Sequence, residues 1–264
     1  ILKSDNFIFY ECDICDYKKL KSIFDQHNIE FILHKAAISS VQKSLDDPVF
    51  SNRVNVRGTL KLLSLARDYN VKRFVFASSA AVYGDEPVLP KNEKSNTNPI
   101  SPYGYEKLMC ENYLDLFSNL HNLETIKLRY FNVYGPRQDP NSDYSGVISI
   151  FENNFSNSKS PVIYGNGEQF RDFIHVKDIV KVNIAASHCD YDKKSRLICC
   201  GSGTKTSINE LFDFFCKKYN ANYLKNYFNA REGDIFGSVS ENQSMLNLIN
   251  HSELIKFKEG ISNL

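Results

Sequence analysis

Short apolar runs alternate with longer amphipathic stretches along most of this chain, and that rhythm restricts the fold more than any other feature. Phe31-Ile32-Leu33-His34, Phe74-Val75-Phe76-Ala77, Thr125 to Leu128 and Leu197 to Cys200 have the length and character of buried strands. Between them lie stretches with helical spacing. Tyr17 to His27 sets Leu20, Ile23 and Phe24 on one face. A stretch opened by Pro48 and running to about Tyr69 does the same with Val54, Leu62, Leu65 and Ala66. Tyr103 to Phe117, Val147 to Phe155 and Asp178 to His188 repeat the pattern. Parallel strands need a crossover between them, so the spacing predicts an α/β chain with a doubly wound parallel sheet. Phe7 to Tyr10 reads as one further strand. Ser207, with Glu210 three residues on, predicts a capped helix through Cys216, followed from Tyr219 by an irregular α+β tail.

Composition narrows the function classes. Apolar residues are 42% and charged residues 24% of 264, which excludes a disordered chain. The net charge of +1 leaves no basic surface for nucleic acid or an acidic membrane, so any anion site is local. No apolar run approaches a membrane span, and ILKSDNFIFY lacks a signal-peptide layout, so a cytoplasmic protein is expected. Seven cysteines without regular spacing exclude a disulfide framework. Cys12 and Cys15 have redox or metal spacing, but no second pair follows, and they read as small fillers at a strand end. No metal site is expected.

Ligands of open α/β sheets bind beyond the carboxyl ends of the strands. Asp13, Ala36-Ala37, Ser78-Ser79 and Tyr130-Phe131-Asn132 fall there, beside the proline-rich loop from Gly84 to Pro102. Tyr103 and Lys107 are four apart on a predicted helix and share a face. An ammonium beside a phenol favours the phenolate, which makes a general base. Tyr17 and Lys21 have the same spacing, so spacing alone does not choose between the pairs. Ser79 does, because a hydroxyl at a strand tip can meet Tyr103 in the crevice.

Ser78-Ser79-Ala80-Ala81-Val82-Tyr83-Gly84, followed by Ser101-Pro102-Tyr103-Gly104-Tyr105-Glu106-Lys107, resembles the extended short-chain dehydrogenase/reductases of the nucleotide-sugar epimerase and dehydratase kind. The resemblance runs over nearly the whole chain. It implies a Rossmann-type NAD-binding domain over 1–138 plus 172–204, and a nucleotide-sugar domain over 139–171 plus 205–264. It implies Ser79, Tyr103 and Lys107 as catalytic residues. For NAD it implies Asp13 and Ile14 at the adenine, Ala36 and Ala37 at the diphosphate, and Asn55, Ser78, Tyr103, Lys107 and Tyr130. Lys35 stands where the family usually has an apolar residue. For a UDP-sugar it implies Ser79, Asn132, Val147, Tyr164, Arg171, Arg231, Asp234 and Ser238.

Ala80 and Ala81 occupy positions where family dehydratases and decarboxylases carry acids. That favours oxidation and re-reduction at C4, the chemistry of UDP-hexose 4-epimerases. Leu128 to Pro140 also resembles those enzymes, with UDP-glucose/UDP-galactose or their N-acetylated counterparts as substrates. A small residue at Ser238 leaves room for an N-acetyl group. A homodimer through the helices at Tyr103 and at Pro48 to Tyr69 is implied by resemblance as well. Two alternatives stay open: a net nucleotide-sugar oxidoreductase, and an inactive binding fragment. The second arises because the family's glycine-rich dinucleotide turn has no match in this sequence, which is expected to be the remainder of a longer protein. His34 and His175 read as structural hydrogen-bonders.

Overall fold

A computed structural model describes residues 6–142, 145–190, 195–230 and 235–264. The elements run α1 (Tyr17–Gln26), β1 (Phe31–His34), α2 (Val41–Asp46), α3 (Pro48–Asn52), α4 (Thr59–Asp68), β2 (Arg73–Ser79), α5 (Pro102–His121) and β3 (Glu124–Tyr130). Then follow β4 (Asn132–Tyr134), α6 (Val147–Ser156), β5 (Val162–Tyr164), β6 (Phe170–Arg171), β7 (Phe173–His175), α7 (Val176–His188) and β8 (Ser195–Cys200). The chain closes with β9 (Thr206–Ser207), α8 (Ile208–Lys218), β10 (Asn226–Phe228), α9 (Gln243–Leu248) and α10 (Phe257–Ser262).

The main sheet has the order β1-β2-β3-β8 and is parallel throughout. Alternation along β2 divides the core between its two faces. Phe74 and Phe76 pack with Leu62, Leu65, Cys110 and Leu114 on the side of α4 and α5. Val75 joins Ile126, Ile198, Val182 and Met245 on the side of α7 and α9. Cys199 and Cys200 are buried strand residues, as their apolar run predicts. A second core lies beneath α6 and α8, where Phe151, Phe155, Phe212 and Phe215 stack edge and face. Ser207 and Glu210 form the reciprocal capping box that opens α8. Ser207→Ala is expected to lower stability by about 1 kcal/mol, read from the urea midpoint.

Two expectations are corrected, and one helix was not foreseen. Phe7 to Tyr10 forms no strand, and Ile8 and Phe9 are largely exposed. Among the described residues β1 has only one neighbour, β2, so nothing orders that segment into the sheet. The single helix read from Pro48 to Tyr69 is α3 and α4 joined by a π-helical segment at Arg53–Gly58. The wider turn brings Asn55, Val56 and Gly58 all inward. Helix α2 was not legible in the sequence; Ser40 caps it by accepting from the Lys43 N–H at 3.2 Å.

The loop after Gly84 is tied down at several points, among them Glu93, which accepts from the Cys199 N–H at 3.0 Å. Lys91 donates its N–H to the Val239 carbonyl at 2.8 Å and accepts from the Glu241 N–H at 2.7 Å. Its ammonium is buried on Glu86 and the Val88 carbonyl.

Candidate active site

A cavity of about 230 Å³ opens where the carboxyl ends of β2 and β3 meet the second core. Ser79, Ala80, Ala81, Tyr103, Tyr130, Asn132, Arg171 and Ser238 line it, with Gly84, Ile100 and Ser101 from the proline-rich loop. Six residues predicted from widely spaced motifs therefore share one wall: Ser79, Tyr103, Tyr130, Asn132, Arg171 and Ser238.

Local sequence explains how Tyr103 reaches Ser79. Ser101 caps α5 by accepting from the Gly104 N–H at 3.2 Å, and Pro102 sets the first helical residue. Gly104 is required by proximity, since a Cβ there would lie 2.7 Å from the Ala81 carbonyl oxygen. The helix thus sits directly on the turn after β2, and Tyr103 and Ser79 line the same cavity. Ser79 Oγ accepts from the Ala81 N–H at 3.1 Å, which fixes its direction. One turn on, Lys107 is buried and donates to the Ala77 carbonyl at 2.7 Å.

The electrostatics differ from the expectation drawn from spacing. Lys107 lies 5.7 Å from the centre of the Tyr103 ring and 4.7 Å from that of Phe76. Burial pushes the Tyr103 hydroxyl above its ordinary pKa, with the Ser79 side chain opposing and Glu106 adding to the rise. Lys107 does not offset that rise here. Burial also brings its own ammonium down to about 8.

Lys107 uses one N–H on Ala77 and forms no ion pair among the described residues, which leaves two further donors on a buried ammonium. Those donors suit a ribose diol, so the residues present fit the nicotinamide end of a dinucleotide. Tyr130 presents its ring to the cavity while its hydroxyl is held by Lys35 at 2.8 Å and by Asn183. Lys35, the departure from the family pattern, is thereby engaged with Tyr130 and Asn183.

Other predicted residues stand back from the cavity. Ser78 is buried and its hydroxyl donates to Glu111. Asn55 pairs with both the N–H and the carbonyl of Ile38, and donates to Glu106 at 2.6 Å. It therefore positions the segment after Ala36 and Ala37. Asp13 accepts from the Cys15 N–H at 2.8 Å in a turn, and Ile14 packs inward on the first core. Val147 opens α6 and packs on the second core. Tyr164 lies against Phe228 beside a second hollow lined by Gly165, Asn209 and Tyr227. Arg231 and Asp234 lie outside the described residues. His34 is a core residue bonded to Thr59 at 2.9 Å, and His175 caps α7. Among the described residues no cluster of His, Cys, Asp or Glu could hold a metal, and no helix is long and apolar enough to cross a membrane.

Sequence reasoning missed Glu106, Glu111 and Arg129. Glu106 and Glu111 follow Tyr103 at helical spacing on the buried face of α5. Arg129 grips Glu111 at 2.7 and 2.9 Å. Two acids in phase with an apolar helix face were the available signal.

The profile of the NAD dependent epimerase/dehydratase family matches residues 2–201. A putative UDP-glucose 4-epimerase of Methanocaldococcus jannaschii is 39% identical over 229 residues, covering 86% of this chain and 73% of its own. The crystal structure of a UDP-glucose 4-epimerase from Thermotoga maritima, with UDP-glucose, superposes with a TM-score of 0.93 at 32% identity, over 98% of this chain and 84% of that one. A UDP-N-acetylglucosamine 4-epimerase of Methanobrevibacter ruminantium, in complex with UDP-N-acetylmuramic acid, gives 0.90 at 36%, over 99% and 82%. With a serine, a tyrosine and a lysine of the expected order converging at the strand ends, the chain belongs to the NAD dependent epimerase/dehydratase family.

Proposed function

We propose that this protein is an isomerase that inverts C4 of a UDP-hexose, with NAD as its retained cofactor. The observation that carries the reading is Ser79 and Tyr103 lining one cavity with Asn132 and Arg171, with Lys107 one turn on along α5 and bonded to the Ala77 carbonyl. Named 4-epimerases among the relatives and structural neighbours support it. Bound NAD supplies the acceptor, and then the donor, of the hydride at C4. Tyr103 takes the proton of the C4 hydroxyl and later returns it. Ser79 holds the C4 oxygen. Lys107 would hold the cofactor ribose with its remaining donors. Arg171 and Asn132 hold the diphosphate while the 4-keto sugar turns over between its two faces. Alanines at 80 and 81 offer no acid for elimination.

The test is product analysis with UDP-glucose and UDP-N-acetylglucosamine. The C4 epimer should accumulate without net NADH. Stoichiometric NADH, or no epimer from the NAD-loaded protein, would overturn the reading.

Ser238 sets the sugar preference. It is buried at the cavity wall, where a small side chain leaves room beside the sugar. Ser238→Tyr is expected to reduce kcat/KM for the N-acetylated substrate roughly tenfold or more relative to UDP-glucose, because overfilling a packed site is unfavourable. Equal loss on both substrates would refute the assignment.

The protein pairs with a second copy through α5 and the neighbouring α2 and α3. Tyr105, Met109 and Leu116 on α5, with Leu45, Val49 and Phe50 beside it, leave an exposed apolar surface. Sedimentation velocity should show a dimer, and Met109→Glu should shift it to monomer.

A further inference from the structure

Asp172 lies between β6 and β7 and is completely buried. Among the described residues no lysine or arginine forms an ion pair with it. Its carboxylate instead collects four hydrogen bonds from two distant segments. Oδ1 accepts from the N–H and the hydroxyl of Ser202, each at 2.7 Å. Oδ2 accepts from the Gly203 N–H at 3.0 Å and the Ser240 N–H at 2.9 Å. The Asp172 main-chain carbonyl accepts from the Asn132 N–H at 3.0 Å. Gly201 completes the site, because a Cβ there would strike both Asp172 and Ser240.

Three groups assigned to the nucleotide sugar hang from this residue. Arg171 precedes it in the chain, Asn132 hydrogen-bonds its backbone, and Ser238 lies two residues before the N–H that its side chain holds. We infer that Asp172 is a positioning residue for the nucleotide sugar: one buried carboxylate fixes Arg171, Asn132 and Ser238 in a common register across the cavity. The inference rests on the function proposed above.

The chemistry of the site requires an ionised acceptor. All four partners donate, and a carboxylate is the side chain that only accepts. Burial raises the Asp172 pKa while those donors oppose the rise. An asparagine has the same shape but would turn its NH₂ toward two groups that also donate, whichever way it is placed.

The test uses the NAD-loaded protein, with UDP alone as the binding probe in calorimetry and a nucleotide sugar in turnover. Asp172→Asn is expected to weaken UDP binding and raise KM by roughly tenfold or more, because two of the four hydrogen bonds to the side chain are lost whichever way the amide turns. The kcat should change less than about threefold and its pH profile should keep its shape, because Tyr103 and Lys107 are untouched. Ser202→Ala removes a single donor and should move KM in the same direction by a few-fold; Ser202→Thr should restore it. If Asp172→Asn does not fold, the Ser202 pair decides. Unchanged UDP affinity, or a fall in kcat with KM unaltered, overturns the inference. Failure of the parent protein to bind UDP would instead overturn the proposed function.

Discussion

Tyr103→Phe should reduce epimerisation by about 10²- to 10⁴-fold, the range for losing a positioned general base. The variant removes one oxygen from a buried ring and leaves its packing in place, so the fold should survive. The pH dependence gives an independent check. Burial raises the Tyr103 pKa, so at neutral pH little of the free protein carries the phenolate. More of the base form is present as pH rises, so kcat/KM should climb on the alkaline side of neutrality. That ascending limb should vanish in Tyr103→Phe while the residual rate stays flat. A variant that keeps more than about a tenth of the parent rate, with the limb intact, would remove Tyr103 from the role.

Glu111→Ala should produce the largest loss of stability. Glu111 and Arg129 are each only 4% exposed as side chains and are joined by two hydrogen bonds. The guanidinium also stacks 4.7 Å from the Tyr83 ring, and its Nη1 already lacks a partner. Removing the carboxylate strands a buried cation, which costs about 3–5 kcal/mol. For a chain of this size that corresponds to roughly 6–20 °C in the midpoint of thermal unfolding. The double variant Glu111→Leu with Arg129→Met should recover much of the loss, because a matched apolar pair removes both charges together. A drop of less than about 1 kcal/mol in Glu111→Ala would show that Arg129 finds another partner or water.

The sequence made the scaffold legible wherever a local rule had no competitor. The four sheet strands, α5 with its Pro102 start, and the capping box at Ser207 follow from period, turn chemistry and caps. Ser79 and Tyr103 were legible together because a strand tip and a helix face point the same way. Phe7 to Tyr10 misled because an apolar run specifies a strand only where a neighbour accepts its hydrogen bonds. Lys107 misled in its charge effect, since i,i+4 spacing fixes the face and burial fixes the pKa. The partners of Asp172 and Glu111 were not readable, because they are spread over distances of 18 to 68 residues. Only the folded chain brings those donors together.

Lys91 and its clasp on Val239 and Glu241 set a timetable for the newborn chain. The roof of the cavity leaves the ribosome about 150 residues before the stretch that latches it. At bacterial or eukaryotic elongation speeds, roughly 5–20 residues per second, that interval is on the order of 7–30 s. Until that stretch arrives, Lys91 lacks its partners and Ser238 is missing from the cavity lining, so the pocket is completed late in synthesis.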